Sequence, residues 1–163
     1  MMFHQNNLFV SNTFIIFERK MKNGIPILRN ILAIIAGVLI GGQLNMYLIK
    51  LSPSIIAPPP GADVLTMEGL KNCIHLFEPK HFIMPFLAHA LGALVAATIA
   101  SALAATRKMR LSIIIGVVFL AGGIGAVYML PAPMWFNVLD LTMAYLPMGY
   151  LGGKLGILIN KEK

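Results

Sequence analysis

The chain has 163 residues, of which 58% are hydrophobic and only 12% charged, with a net charge of +7. A soluble domain of this size carries about 45–50% apolar and roughly 25% charged residues, so too little polar surface remains here to cover a globule in water. The basic residues fall in short clusters between apolar runs, which argues for a lipid bilayer and against nucleic acid as the partner; one cysteine, Cys73, excludes a disulfide framework.

Residues 1–24 read as a flexible N-terminal tail, with Met21 as an alternative start. The apolar patch Phe14 to Phe17 is too short for the core of a signal peptide. Residues 25–163 then form a single membrane domain.

A helix that crosses a membrane needs ~20 predominantly apolar residues, because the hydrocarbon core is about 30 Å thick. The stretch from Asn30 to Ile49 is uncharged and predicts a first span at about 30–49. Pro53 and Pro58-Pro59-Pro60-Gly61 then predict an extended exit from that helix. Asp63 is placed to cap a short amphipathic helix in the extracytoplasmic loop, with Met67, Leu70, Ile74 and Phe77 on its apolar face. Pro79 ends it.

The second span is expected at about 83–105 and the third at about 111–130, where Pro131-Ala132-Pro133 stops the helix. The fourth, at about 136–159, starts from the interfacial anchors Trp135 and Phe136 and tolerates Lys154 by snorkelling. Pro147 should kink it. A re-entrant final segment is the alternative. The predicted fold is therefore all-α, a transmembrane four-helix bundle with one short helix outside.

Orientation follows from the basic flanks. Arg19, Lys20, Lys22, Arg29, Arg107, Lys108, Arg110, Lys154, Lys161 and Lys163 fall on one side if there are four spans, and only Lys50, Lys71 and Lys80 on the other. The positive-inside rule then puts both termini in the cytoplasm.

Within lipid, helices associate through close backbone approach and polar contacts rather than through apolar burial. Ala33, Gly37, Gly41 and Asn45 recur every four residues in the first span, and Ala88, Gly92, Ala96, Ala100 and Ala104 in the second. Gly122 to Ala126, Gly149 to Gly153 and Gly152 to Gly156 repeat the spacing in the third and fourth. Such stripes predict a tight bundle, with some faces free for self-association or for a place in a larger membrane complex.

Polar groups inside spans are costly and mark candidate sites. Gln43, Asn45, His89 and Asp140 fall at one depth in the outer leaflet, with Glu78, Lys80 and His81 just above. One reading is a polar pocket open to the outside, with His89 and Asp140 as a titratable pair and the two amides as its walls. The other is structural: Asp140 pairs with Lys80 or His89 and the amides bond across helices. His75, Glu78 and His81 are spaced by three, but Pro79 breaks their helix and no second ligand group is evident, so no metal is expected. No cofactor motif or nucleophile elbow is present.

Three stretches, His75-Leu-Phe-Glu-Pro-Lys-His-Phe, Pro85-Phe-Leu-Ala-His-Ala-Leu-Gly and Leu130-Pro-Ala-Pro-Met-Trp-Phe-Asn-Val-Leu-Asp140, together resemble an uncharacterised group of small bacterial multi-pass membrane proteins. The resemblance covers roughly residues 25–159 and implies a bacterial inner-membrane location without an activity or a site. The expected function is that of a structural or accessory membrane subunit. A small transporter or channel is the second class and a membrane enzyme the third.

Overall fold

The computed structural model describes residues 2–159, with side chains from residue 24 onward. Every regular element among them is helical: α1 (Met2–Ile55), α2 (Met67–Cys73), α3 (Ile83–Leu103), α4 (Lys108–Met129), α5 (Met134–Met143) and α6 (Leu146–Ile159), with two 3-10 turns, Ile74–Leu76 and Pro79–Phe82, between α2 and α3. Three stretches are long and apolar enough to cross a membrane, Gly24–Ile55, Pro79–Leu103 and Lys108–Met129. The basic residues Arg19, Lys20, Lys22, Lys161 and Lys163 lie outside the described side chains.

Several boundaries differ from expectation. The backbone of α1 is helical from Met2, so it takes in the segment read as a tail. At its other end the helix passes through Pro53 to Ile55 rather than leaving there in extended form. The fixed φ of proline suits a helix, and in the last turn of α1 Pro53 costs the bond of its missing N–H and crowds the Ile49 carbonyl without breaking the helix. The chain departs at Ala57, where a following proline disfavours the α conformation. Thr66, not Asp63, is the N-cap of α2: its hydroxyl accepts from the Gly69 N–H at 2.9 Å. Asp63 instead organises the preceding turn, accepting from the Leu65 N–H at 2.9 Å and from the Thr66 hydroxyl at 2.7 Å.

The largest correction concerns the last segment. Instead of one kinked helix over 136–159, two helices meet at a break around Ala144 and Tyr145. Pro147 has no N–H, and its ring would collide with the carbonyl four residues earlier, that of Met143, where α5 ends. The Ala144 N–H closes α5 on the Asp140 carbonyl at 2.9 Å, and the Gly149 N–H opens α6 on the Tyr145 carbonyl at 2.7 Å. Lys154 also departs from expectation, since its ammonium stands over the Tyr150 ring, 4.7 Å from the centroid, instead of reaching toward the chain's end.

α3 is the central helix, packed against α1 on one side and α6 on another. Its small-residue stripe meshes with that of α1. A Cβ added to Gly37 would lie 2.5 Å from the Ala96 carbonyl oxygen, and one added to Gly92 would lie 2.9 Å from the Asn45 Cβ. Ala33, Ala96, Ala100 and Ala104 are buried along this seam. Only small side chains permit such an approach. On the α6 side, a Cβ at Gly152 would lie 2.8 Å from the Ala97 Cβ, and Gly156 faces Ser101 and Thr98. The Ser101 hydroxyl also donates across to the Gly152 carbonyl at 3.2 Å. Successive contacts, Phe82 with Phe136, Ala97 with Gly152 and Ser101 with Gly156, show α5 and α6 running parallel to α3 along most of its length.

The Leu103 end is fastened from α1. The Asn30 side-chain oxygen accepts from the N–H groups of Ala105 (2.9 Å) and Thr106 (3.2 Å), its amide donates to the Thr106 hydroxyl, and Arg29 Nε donates to the Leu103 carbonyl at 2.8 Å. These side chains occupy backbone groups that the end of α3 would otherwise leave open.

Candidate functional site

α3 carries His89 six residues past its start, and α5 carries Asp140 six residues past its own. The helix break places a third group beside them. Because α5 stops at Met143, Tyr145 leaves the helical path and turns its ring inward under Gly123 of α4. A Cβ at Gly123 would lie 2.5 Å from the Tyr145 hydroxyl, so that ring position requires glycine there.

His89 Nδ1 is 2.9 Å from each Asp140 carboxylate oxygen, and the Tyr145 hydroxyl donates to Oδ2 at 2.7 Å. A carboxylate oxygen accepts, so the His89 Nδ1–H is the donor in this contact. The His89 and Tyr145 rings stack at 5.8 Å. The Asp140 side chain is 5% exposed and that of His89 19%.

Apolar clusters lie on both sides of this triad. Toward the starts of α3 and α5, Ile74, Phe82 and Phe136 are buried together with Phe77, Phe86 and Leu130 around them. The Phe82 ring is 4.8 Å from Phe136 and 5.5 Å from Trp135. Toward the other end, Ala90, Ala93, Ala144 and Tyr145 form a core with Phe119, Leu120 and Met148. Phe86 belongs to both. The polar group thus lies between two apolar clusters, with Asp140 buried and His89 partly exposed.

The other candidate residues do not join it. Lys80 pairs with Glu78 at 2.9 Å, an exposed contact, rather than with Asp140. That ammonium holds the Glu78 carboxyl below its ordinary range. His81 is buried and structural: its Nδ1 accepts the Glu78 N–H at 2.9 Å, and its Nε2 is 3.1 Å from the Ala57 carbonyl, which ties the start of α3 to the end of α1. Asn45 spends its Cβ on the contact with Gly92, and Gln43 is exposed on the far side of α1. Neither amide reaches the triad. His75 is exposed, and among the described residues no three His, Cys, Asp or Glu side chains converge as metal ligands would.

Sequence reasoning missed Tyr145, Asn30 and Arg29. For Tyr145 the available signal was a phenol two residues before a proline within an apolar run. For the other two it was the amide and guanidinium at the mouth of the first span, level with the end of the second. Comparisons with protein-family models, with curated proteins and with solved structures find no match for this chain.

Proposed function

We propose that the chain is a four-crossing protein of the bacterial inner membrane, with both ends cytoplasmic, which serves as a structural or accessory subunit. The fourth crossing is α5 and α6 together. α5 (10 residues) and α6 (14 residues) together supply about 36 Å of helix at ~1.5 Å per residue, enough for a hydrocarbon core of about 30 Å. Its parallel course beside α3 fits this reading, and so does the gathering of basic residues at one end. Residues 56–82, including α2, lie on the outer side.

The observation that carries the structural role is the internal satisfaction of Asp140. Both of its oxygens are met by donors from α3 and from the helix break, and apolar clusters seal it on either side. A carboxylate so engaged fastens the last crossing to the central helix. The alternative is proton-coupled transport, favoured by one feature: a discontinuous helix beside an ionisable pair, an arrangement that transporters place at their binding sites. Purified protein in liposomes with an internal pH dye distinguishes the two. The structural reading predicts no pH-driven flux from wild type and loss of bundle stability in Asp140→Ala. A flux abolished by Asp140→Asn or His89→Ala with the fold retained would replace it by the transport reading.

A further inference from the structure

Arg29 of α1 and the pair Arg107 and Lys108 at the start of α4 stand at the same end of the bundle, and packing sets their register. Ala33, Ala104 and Leu111 are buried in one cluster, so α1, the end of α3 and α4 meet there. Both α1 and α4 run away from this end. One turn back from Ala33 is Arg29, and one turn back from Leu111 is Lys108, with Arg107 just before it. The chain between α3 and α4 is drawn against α1 at the same level, where Asn30 accepts from the Ala105 and Thr106 N–H groups. The Arg29 guanidinium is also held in place. Its Nε donates to the Leu103 carbonyl at 2.8 Å, and its two terminal nitrogens make no hydrogen bond among the described residues.

No carboxylate among the described residues offsets these three cations. Asp63, Glu68 and Glu78 belong to the segment between α1 and α3 at the opposite end, and Asp140 is engaged by His89 and Tyr145. The ion pairs formed are Lys80 with Glu78 and His89 with Asp140. Arg29 and Arg107 are exposed and Lys108 is half-buried. Immediately beside them the surface turns apolar. Leu32, one turn along α1 from Arg29, is exposed, and so is Leu103, whose carbonyl Arg29 holds. Positive charge at one level with an apolar wall adjoining it suits an anionic amphiphile. A free phosphate would use the charge and leave the wall bare.

We propose that Arg29, Arg107 and Lys108 form a binding site for the headgroup phosphate of an anionic phospholipid, whose acyl chains lie along Leu32 and Leu103. A guanidinium meets phosphate oxygens with paired N–H groups, and an ammonium adds a point charge. Basic pockets between membrane helices recognise lipid headgroups in this way. A zwitterionic lipid brings its own ammonium into a site that is already cationic, so it binds less well. The inference rests on the bilayer reading above. Were that reading false, the protein would be found free of membranes; were only this inference false, it would stay in the membrane without preference among lipids.

The test uses the full chain, reconstituted in bilayers of equal phosphatidylglycerol and phosphatidylcholine, with the lipids it retains counted by native mass spectrometry. Wild type should retain phosphatidylglycerol in preference to phosphatidylcholine. Arg107→Gln and Lys108→Gln should each lower that preference by about five-fold, the effect of one basic residue at an anionic lipid surface. Arg107→Lys should keep more of it than Arg107→Gln. Lys71→Gln, exposed at the opposite end, should leave it unchanged. The Arg107 and Lys108 side chains make no hydrogen bond among the described residues, so these variants read the site without loosening the bundle as Arg29→Gln would. Excess inorganic phosphate should not displace the lipid. Equal retention of the two lipids, a preference indifferent to both Arg107→Gln and Lys108→Gln, an equal loss in Lys71→Gln, or displacement by inorganic phosphate would each overturn the proposal.

Discussion

Replacing Asp140 with alanine removes the one acceptor shared by two donors, and the cost can be worked from the contacts. Tyr145 is 2% exposed, and its hydroxyl has no other hydrogen-bond partner among the described residues. The His89 side chain is 19% exposed, so its Nδ1–H has some chance of finding another acceptor. An orphaned buried donor costs ~1–3 kcal/mol, with Tyr145 toward the upper end and His89 toward the lower. Measured interhelical hydrogen bonds in membranes fall below the soluble values, averaging about 0.6 kcal/mol, which pulls the sum down. The expected loss for Asp140→Ala is therefore about 2–4 kcal/mol. Tyr145→Phe removes a single bond and leaves no orphan of its own, so it should cost only ~1 kcal/mol. Asp140→Asn should fall between, because its carbonyl still accepts from Tyr145. Reversible unfolding in mixed detergent micelles provides the assay. A loss for Asp140→Ala within about 0.5 kcal/mol of wild type, the range of an ordinary surface substitution, would refute the reasoning.

Other substitutions probe the packing and the loop. Gly41→Ile should drive a side chain into the Gly92 backbone and Ala96, separating α1 from α3 at a cost of about 1–3 kcal/mol or more, whereas Gly42→Ala should leave the monomer's unfolding unchanged. Asn30→Ala should cost ~1 kcal/mol and speed hydrogen exchange at the Ala105 and Thr106 amides, without effect at Ala57. The hydrogen bonds from Thr66 and Leu65 hold the Asp63 carboxyl below its ordinary value. A group whose folded pKa is depressed gives stability above the unfolded value and loses it as pH falls through the folded one. Exchange at the Leu65 amide should therefore accelerate, relative to its intrinsic rate, as pH drops below about 4, and Asp63→Asn should remove that pH dependence.

How much of this was legible in the sequence varied with the kind of information needed. The four-residue spacing of Gly37 and Gly41 against Gly92, Ala96 and Ala100 was readable because interval alone defines a helix face. Depth was equally readable, and it put His89 and Asp140 at one level. Rotation about the helix was not. Gln43 and Asn45 share a level, yet at ~100° per residue they point about 200° apart, so Asn45 meets α3 while Gln43 faces outward. Tyr145 escaped notice because its position depends on Pro147 breaking the helix outright, and a proline within an apolar run is compatible with either a kink or a stop. The N-cap shifted from Asp63 to Thr66 for a related reason: the Asp63 side chain is taken up by the Leu65 N–H and the Thr66 hydroxyl before α2 begins.

The sidedness of Ile159 relative to the Arg107 connection tests the account most directly, since an α5–α6 pair that crosses returns the chain to the face where α3 ends. Paired reporters, one active only in the cytoplasm and one only outside it, can be joined after residue 108 and after residue 159. Cytoplasmic activity at both points is the result the account predicts. Opposite sides for the two points would mean that the last segment turns back, leaving three crossings and no fourth.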